Sequence, residues 1–170
     1  MVQKKEQKKK YLPVMLDITE KRILIIGGGR ACLEKLRSLS QTGVTVDVIS
    51  PEFEPGFSGK DWLNLIQKEY TPGDLKGYDL VYSGVNSPIV ERQIREEAKM
   101  ENILINFVDN VEFSDFISPS LIQKKFFSIF ISTFGKGPGM TKKIRKTIEA
   151  TIDLDGLDQE AEEYIRNRNK

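Results

Sequence analysis

The stretch Arg22-Ile23-Leu24-Ile25-Ile26-Gly27-Gly28-Gly29-Arg30-Ala31-Cys32 decides the fold. Arg22–Ile26 is a short, mostly β-branched run of the kind that forms a buried strand, and the three glycines after it mark a tight turn. The residues beyond it switch to helical spacing, with Cys32, Leu33, Leu36 and Leu39 on one stripe and Gly43 expected at the C-cap. Strand, glycine turn and helix in that order form the context in which a glycine-rich sequence binds a dinucleotide. Gly27 permits the turn, and Gly29 lets the backbone approach a diphosphate whose charge meets the helix N-terminus. The third small position of the fingerprint holds Cys32, where Gly or Ala is usual. A glycine turn without cofactor is the competing reading.

Outward from this stretch, strand and helix patterns alternate. Val44–Ile49 is a second strand, stopped by Ser50 and Pro51; a third is expected around Leu65–Tyr70, a fourth over Asp79–Val85 and a fifth over Ile103–Val108, with a helix at Pro88–Met100. Such alternation predicts a Rossmann-type α/β fold, a doubly wound parallel sheet. After Asp109 the composition changes. Phe126–Ser132 reads as a strand, a glycine-rich loop follows, Met140–Ile152 reads as a helix, and the remainder is acidic. The expected organisation is a basic disordered tail over 1–10, a nucleotide-binding domain over 11–113, and a small α+β dimerisation and substrate domain over 114–170.

Composition narrows the chemistry. Lys+Arg number 26 against 25 Asp+Glu, so total charge points to neither nucleic acid nor membrane. No apolar run approaches the roughly 20 residues of a membrane span, and the basic N-terminus has no apolar segment behind it, so it does not read as a secretory signal. A single cysteine suits a reducing compartment, and the cytoplasm is the expected location. Histidine is absent. That removes the commonest general base and, with one cysteine, the usual zinc sites, so no metal cofactor is expected.

Acid–base work then falls to Asp, Glu, Lys or Tyr. Asp109 ends the fifth strand, and ligands of open α/β sheets bind at the carboxyl ends of their strands. A dehydrogenation sends a hydride to a nicotinamide and a proton to a base, a role a carboxylate there can fill. The alternatives are a turn cap, since Asp109-Asn110 is good turn chemistry, and Asp115 as the functional carboxylate. Glu52, just beyond Ser50-Pro51, is placed for a ribose hydroxyl, whereas Asp47 inside the second strand points elsewhere. No Arg or Lys occupies the place of a 2′-phosphate partner, so NAD is expected rather than NADP.

The order of motifs resembles a known family. Tyr11-Leu12-Pro13-Val14 precedes the first strand; Ile25-Ile26-Gly27-Gly28-Gly29, Ser50-Pro51-Glu52, Asn106-Phe107-Val108-Asp109, Phe116-Ile117-Ser118-Pro119-Ser120 and Ile131-Ser132-Thr133, with Gly135 and Pro138, follow. From about Tyr11 to about Ile148 this series is similar to the precorrin-2 dehydrogenase / sirohydrochlorin ferrochelatase family, the N-terminal module of siroheme synthases. The resemblance implies NAD-dependent oxidation of precorrin-2 to sirohydrochlorin; some members also insert ferrous iron. It implies cofactor contacts at Gly28, Arg30, Ala31, Pro51, Glu52, Gly84 and Val85, an important aspartate at Asp109, and a homodimer formed through the region after the Rossmann part. Precorrin-2 carries eight carboxylates, for which Ser132, Thr133 and Lys136 are the candidate contacts; the lysines beyond Lys142 read as a solvated helix face. The chain departs from the family pattern at Val85-Asn86, at Phe134 and in its short C-terminal region. A non-catalytic NAD- or tetrapyrrole-binding module, or another NAD enzyme acting on a small metabolite, are the competing functions.

Overall fold

A computed structural model describes residues 9–168. The chain divides into two compact units, the first running to Phe116 and the second beginning at Ile117. In the first unit the elements are β1 (Ile23–Ile26), α1 (Arg30–Leu39), β2 (Val46–Ser50), β3 (Leu63–Gln67), β4 (Leu80–Ser83), α2 (Pro88–Met100) and β5 (Leu104–Phe107). The five strands form one sheet in the order β3-β2-β1-β4-β5, every pair parallel. The order reverses between β1 and β4, so a crevice opens where the chain leaves these two strands.

Two apolar layers hold the sheet. Successive strand residues face opposite sides: Ile23, Ile25, Val46, Val48 and Tyr82 pack with Cys32, Leu36 and Leu39 of α1 and with Phe57, while Leu24, Ile26, Val81, Ile105 and Phe107 pack with Ile94 and Ala98 of α2 and with Leu75. All four residues of β1 are buried. Such a strand reads as continuous apolar sequence because helices cover both its faces. A buried carboxylate ties the β3–β4 connection to α2: Glu97 accepts the Tyr70 hydroxyl and the Leu75 N–H.

Helix α2 has the expected bounds, with Pro88 in its first turn. The third strand begins two residues earlier than expected and ends before Tyr70. It is the sheet's edge, paired only to β2, and Tyr70 leaves it to bind Glu97. Gly43 is not the C-cap of α1: the helix ends at Leu39 with Ser40 as its C-cap, and Gly43 takes a positive φ of 75° in the loop before β2. Residues 1–8 of the expected basic tail lie outside the described residues. Lys9 does not behave as tail, since its Nζ donates to the carbonyl oxygens of Val111 and Ser114.

The second unit contains β6 (Ser120–Gln123) and β7 (Ser128–Ile131), an antiparallel pair, then α3 (Pro138–Thr151) and α4 (Leu154–Arg168). The acidic C-terminal stretch is thus helical. Asp158 accepts the Phe126 N–H, and Lys124 pairs with Asp155 at 2.6 Å, fastening α4 to the β6–β7 turn.

Candidate active site

Four loops gather at the carboxyl ends of the strands. The sheet ladder continues past the strand ends to align them: Gly27 N–H donates to Ile49 O, Gly84 N–H to Ile26 O and Val108 N–H to Ser83 O, each at 2.8 Å. Gly27 takes φ +119°, which only glycine adopts without strain. A Cβ on Gly28 would overlap the Glu52 carbonyl oxygen, and Glu54 N–H donates to Gly28 O at 2.8 Å, so the glycine turn and the turn after β2 form one surface. Ser50 is buried, and its hydroxyl donates to Glu52 O at 2.6 Å; it shapes that turn.

Around Gly29 the helix start is open. No atom lies within 4 Å of where its Cβ would be. The first amide to find a helical acceptor is that of Leu33, bonded to Gly29 O at 3.0 Å, which leaves the amides of Arg30, Ala31 and Cys32 directed out of the helix. No side chain caps them, and no acidic residue sits in the first turn. Backbone donors, the positive end of a helix and a side-chain-free approach fit a diphosphate. Glu52 is exposed at the rim, a position suited to ribose hydroxyls.

Cys32 fills the third small position for a packing reason. Its Sγ is wedged between Gly27 and Gly84, where a Cβ on Gly84 would collide with it. The thiol donates to Ile26 O at 3.7 Å. Burial, and then the negative charge of Asp109, push it up to about 12. It is a space-filling group and not a nucleophile.

The two acidic candidates after β5 separate cleanly. Asp115 is committed to structure: its carboxylate accepts the Ile105 N–H at 3.2 Å and pairs with Arg95 at 2.7 Å. The turn is capped by Asn110, whose Oδ1 accepts the Phe113 N–H. Asp109, just ahead of that turn, is exposed, and its negative charge raises the Cys32 thiol. Asn106 is buried in β5 and donates to Phe116 O at 2.8 Å, fixing the course of the chain out of the sheet. Val85 follows Gly84 and is half-buried. At the opposite ends of the strands Asp47 is occupied by the Tyr78 hydroxyl at 2.6 Å and faces Arg22 at 3.9 Å, far from this crevice in register.

Ser132, Thr133 and Lys136 belong to the second unit, where they form one turn. Ser132 Oγ accepts the Phe134 N–H and Thr133 Oγ1 the Gly137 N–H, both at 3.0 Å, and Lys136 N–H donates to Thr133 O. Phe134 stands at φ +56° and Gly135 at +77°. Lys136 is exposed at the lip of this turn, ahead of α3.

Residues 14–120 match the model of a family described as "Putative NAD(P)-binding". The chain belongs to that family. Its members' NAD(P)-binding label agrees with the glycine turn and uncapped helix start, both of which lie inside the matched segment. Among similar proteins, siroheme synthase 2 of Aeromonas hydrophila is 29% identical over 143 residues. The siroheme synthase of Photorhabdus laumondii is 30% identical over 146. Each alignment covers 84% of this chain but only 30% and 31% of the relative, so the chain spans under a third of their length. A solved structure, "SirC, precorrin-2 dehydrogenase", superposes with a TM-score of 0.72 at 23% identity, covering 84% of this chain and 71% of that one, and has the same fold. Among the described residues no helix is long and apolar enough to cross a membrane.

Proposed function

We propose that this chain is an NAD-dependent dehydrogenase that oxidises precorrin-2 to sirohydrochlorin in siroheme synthesis. The observation that carries this reading is the pairing of an uncapped, glycine-lined helix start with an uncommitted carboxylate, Asp109, at the same ends of the same sheet. The kinship to siroheme synthases over 84% of the chain supports the choice of substrate. Bound NAD supplies the hydride acceptor. The amides of Arg30 and Ala31 bind its diphosphate, Gly28 and Gly29 keep side chains out of the approach, Glu52 accepts ribose hydroxyls, and Pro51, Gly84 and Val85 form the walls. Asp109 accepts the proton that the substrate loses along with the hydride. Ser132, Thr133 and Lys136 bind substrate carboxylates, the lysine by charge and the hydroxyls through the O–H donors their turn leaves over.

The second unit is then the substrate and dimerisation domain. Phe130, Met140, Ile144 and Ile152 are exposed on it, and a second copy is the covering partner this reading assigns. The reducing cytoplasm keeps Cys32 a thiol. Ferrous iron is a candidate second substrate, with Asp109 again the group that receives pyrrole protons.

The test supplies precorrin-2 and NAD and follows NADH and sirohydrochlorin by absorbance, with ferrous iron added afterwards. The wild type turns over; Asp109→Asn loses about 10²–10⁴-fold in kcat yet binds NAD as before by calorimetry. A protein that binds NAD tightly without turnover is the non-catalytic module instead, and one with no affinity for NAD overturns both readings.

A further inference from the structure

Phe107 closes β5, Val108 and Asp109 make a two-residue bend, and Asn110 starts the return. The Asn110 N–H donates to Phe107 O at 3.3 Å, and the two residues bridge antiparallel. Asp109 is exposed, and no hydrogen bond or ion pair holds its carboxylate among the described residues. The carboxylate therefore stands where the main chain of this bend puts it. Whatever fixes that main chain decides where a proton is received.

On the sheet side the bend is anchored by Val108, whose N–H donates to Ser83 O at 2.8 Å. The other side has one hub. Ser114 is 1% exposed, and its hydroxyl oxygen accepts the Phe107 N–H at 2.8 Å. The same hydroxyl donates to Asn110 O at 2.8 Å, with Phe107 O also within reach at 3.2 Å. One side chain thus grips the first and the last residue of the Asp109 bend. A hydroxyl suits this place because it accepts and donates at once; an apolar side chain of similar size would fill the space and leave the Phe107 amide without its acceptor. The hub is itself held. Ser114 N–H donates to Val111 O at 3.3 Å, the neighbouring Asp115 N–H donates to Ile105 O at 2.7 Å, and Lys9 Nζ donates to the Val111 and Ser114 carbonyl oxygens at 2.8 and 2.5 Å.

We propose that Ser114 is a positioning residue for Asp109: its hydroxyl ties the two ends of the bend together, so that the exposed carboxylate keeps a fixed place at the strand ends. The inference rests on Asp109 being the proton acceptor, and it deepens that reading. Ser114, being buried, touches neither cofactor nor substrate. Proton transfer requires the heavy atoms to meet at hydrogen-bond distance, and a misplacement of about 1 Å costs about 10²-fold. A bend released at both ends gains that freedom.

Ser114→Ala tests it, alone and combined with Asp109→Asn. The first readout does not depend on turnover. Amide hydrogen exchange of the full chain, followed by NMR, rises about tenfold or more at Phe107 and Asn110, while the Gly27 and Gly84 amides, which bond elsewhere in the sheet, exchange as in the wild type. Unchanged exchange at Phe107 and Asn110 overturns the proposal. The second readout is kinetic. Ser114→Ala lowers kcat about 10–10²-fold, with KM and NAD affinity near those of the wild type. In the Asp109→Asn background the same change lowers kcat by less than about twofold, because residues that act as a unit are not additive. A multiplicative loss in the double variant means that Ser114 acts without Asp109 and overturns the proposal, as does a wild-type kcat in Ser114→Ala. A thermal melt checks that each variant is folded. Where Ser114→Ala does not fold, Lys9→Met replaces it: losing the outer grip on the Val111 and Ser114 carbonyls gives the same two results in smaller measure, and their absence overturns the proposal. Should the wild type bind NAD but not turn over, the dehydrogenase reading fails, while the exchange result still decides whether Ser114 holds the bend.

Discussion

The two units of the chain satisfy their apolar residues in different ways. In the first, both faces of a five-stranded sheet are covered, and side chains such as Ile25, Val48, Val81 and Ile105 have no exposure at all. In the second, only Ile122 and Leu154 are buried hydrophobics among the described residues, α3 buries no residue, and Phe130, Phe134, Met140 and Tyr164 are half or more exposed. A two-stranded ribbon is marginal by itself and depends here on the helix packed against it. The contrast teaches that the nucleotide half contains its own source of rigidity, whereas the other half leaves apolar side chains exposed.

The largest expected effect breaks the first unit. Ile25→Ala, in the central strand, costs about 2–5 kcal/mol by urea unfolding, and a loss below 1 kcal/mol shows that the sheet is less tightly packed than the geometry says. Next comes Gly84→Ala, whose Cβ collides with Cys32 Sγ. It costs about 1–3 kcal/mol and weakens NAD binding; in a Cys32→Ala background the cost shrinks because the obstructing atom is gone, and a purely additive double-mutant cycle refutes the wedge.

A smaller effect follows from the Cys32 thiol. The folded chain keeps its proton to about 12, while the unfolded thiol loses it near 9.0. Between those values the unfolded state binds fewer protons, so stability falls as pH rises, by at most about 1.4 kcal/mol per pH unit. This contribution is fully present below pH 9.0. Wild type minus Cys32→Ala, compared by urea unfolding on either side of that pH, isolates it; parallel curves contradict the burial. The smallest stability effect lies in the second unit. Phe130→Ser costs under about 0.5 kcal/mol at high dilution, but it shifts sedimentation towards monomer if a second copy covers that face. A large monomer destabilisation instead means that Phe130 already has its cover.

The sequence was most legible where local and global signals agree. Pro88 in a first turn and an apolar stripe through Ile94 and Ala98 define α2 to the residue. The run Ile23–Ile26 followed by glycines fixes the switch point, since only a strand buried on both faces is so uniformly apolar. β6 escaped notice because Ser120–Gln123 has polar residues at both ends and is a strand only through its pairing with β7. Sequence favours Asp109 over Asp115 only by its place at the strand end, and it takes folding to bring Arg95 and the Ile105 amide to Asp115 and not to Asp109.

The Gly28 carbonyl and the Gly27 amide peg the glycine turn to the end of β2, and the Ser50 hydroxyl braces the facing turn from within. One wall of the cradle is therefore cast in advance, and an arriving dinucleotide freezes little main chain there, so little of its interaction energy is spent on ordering. Ser50 thereby holds the turn after β2 in shape through a single internal bond, as a keystone holds an arch.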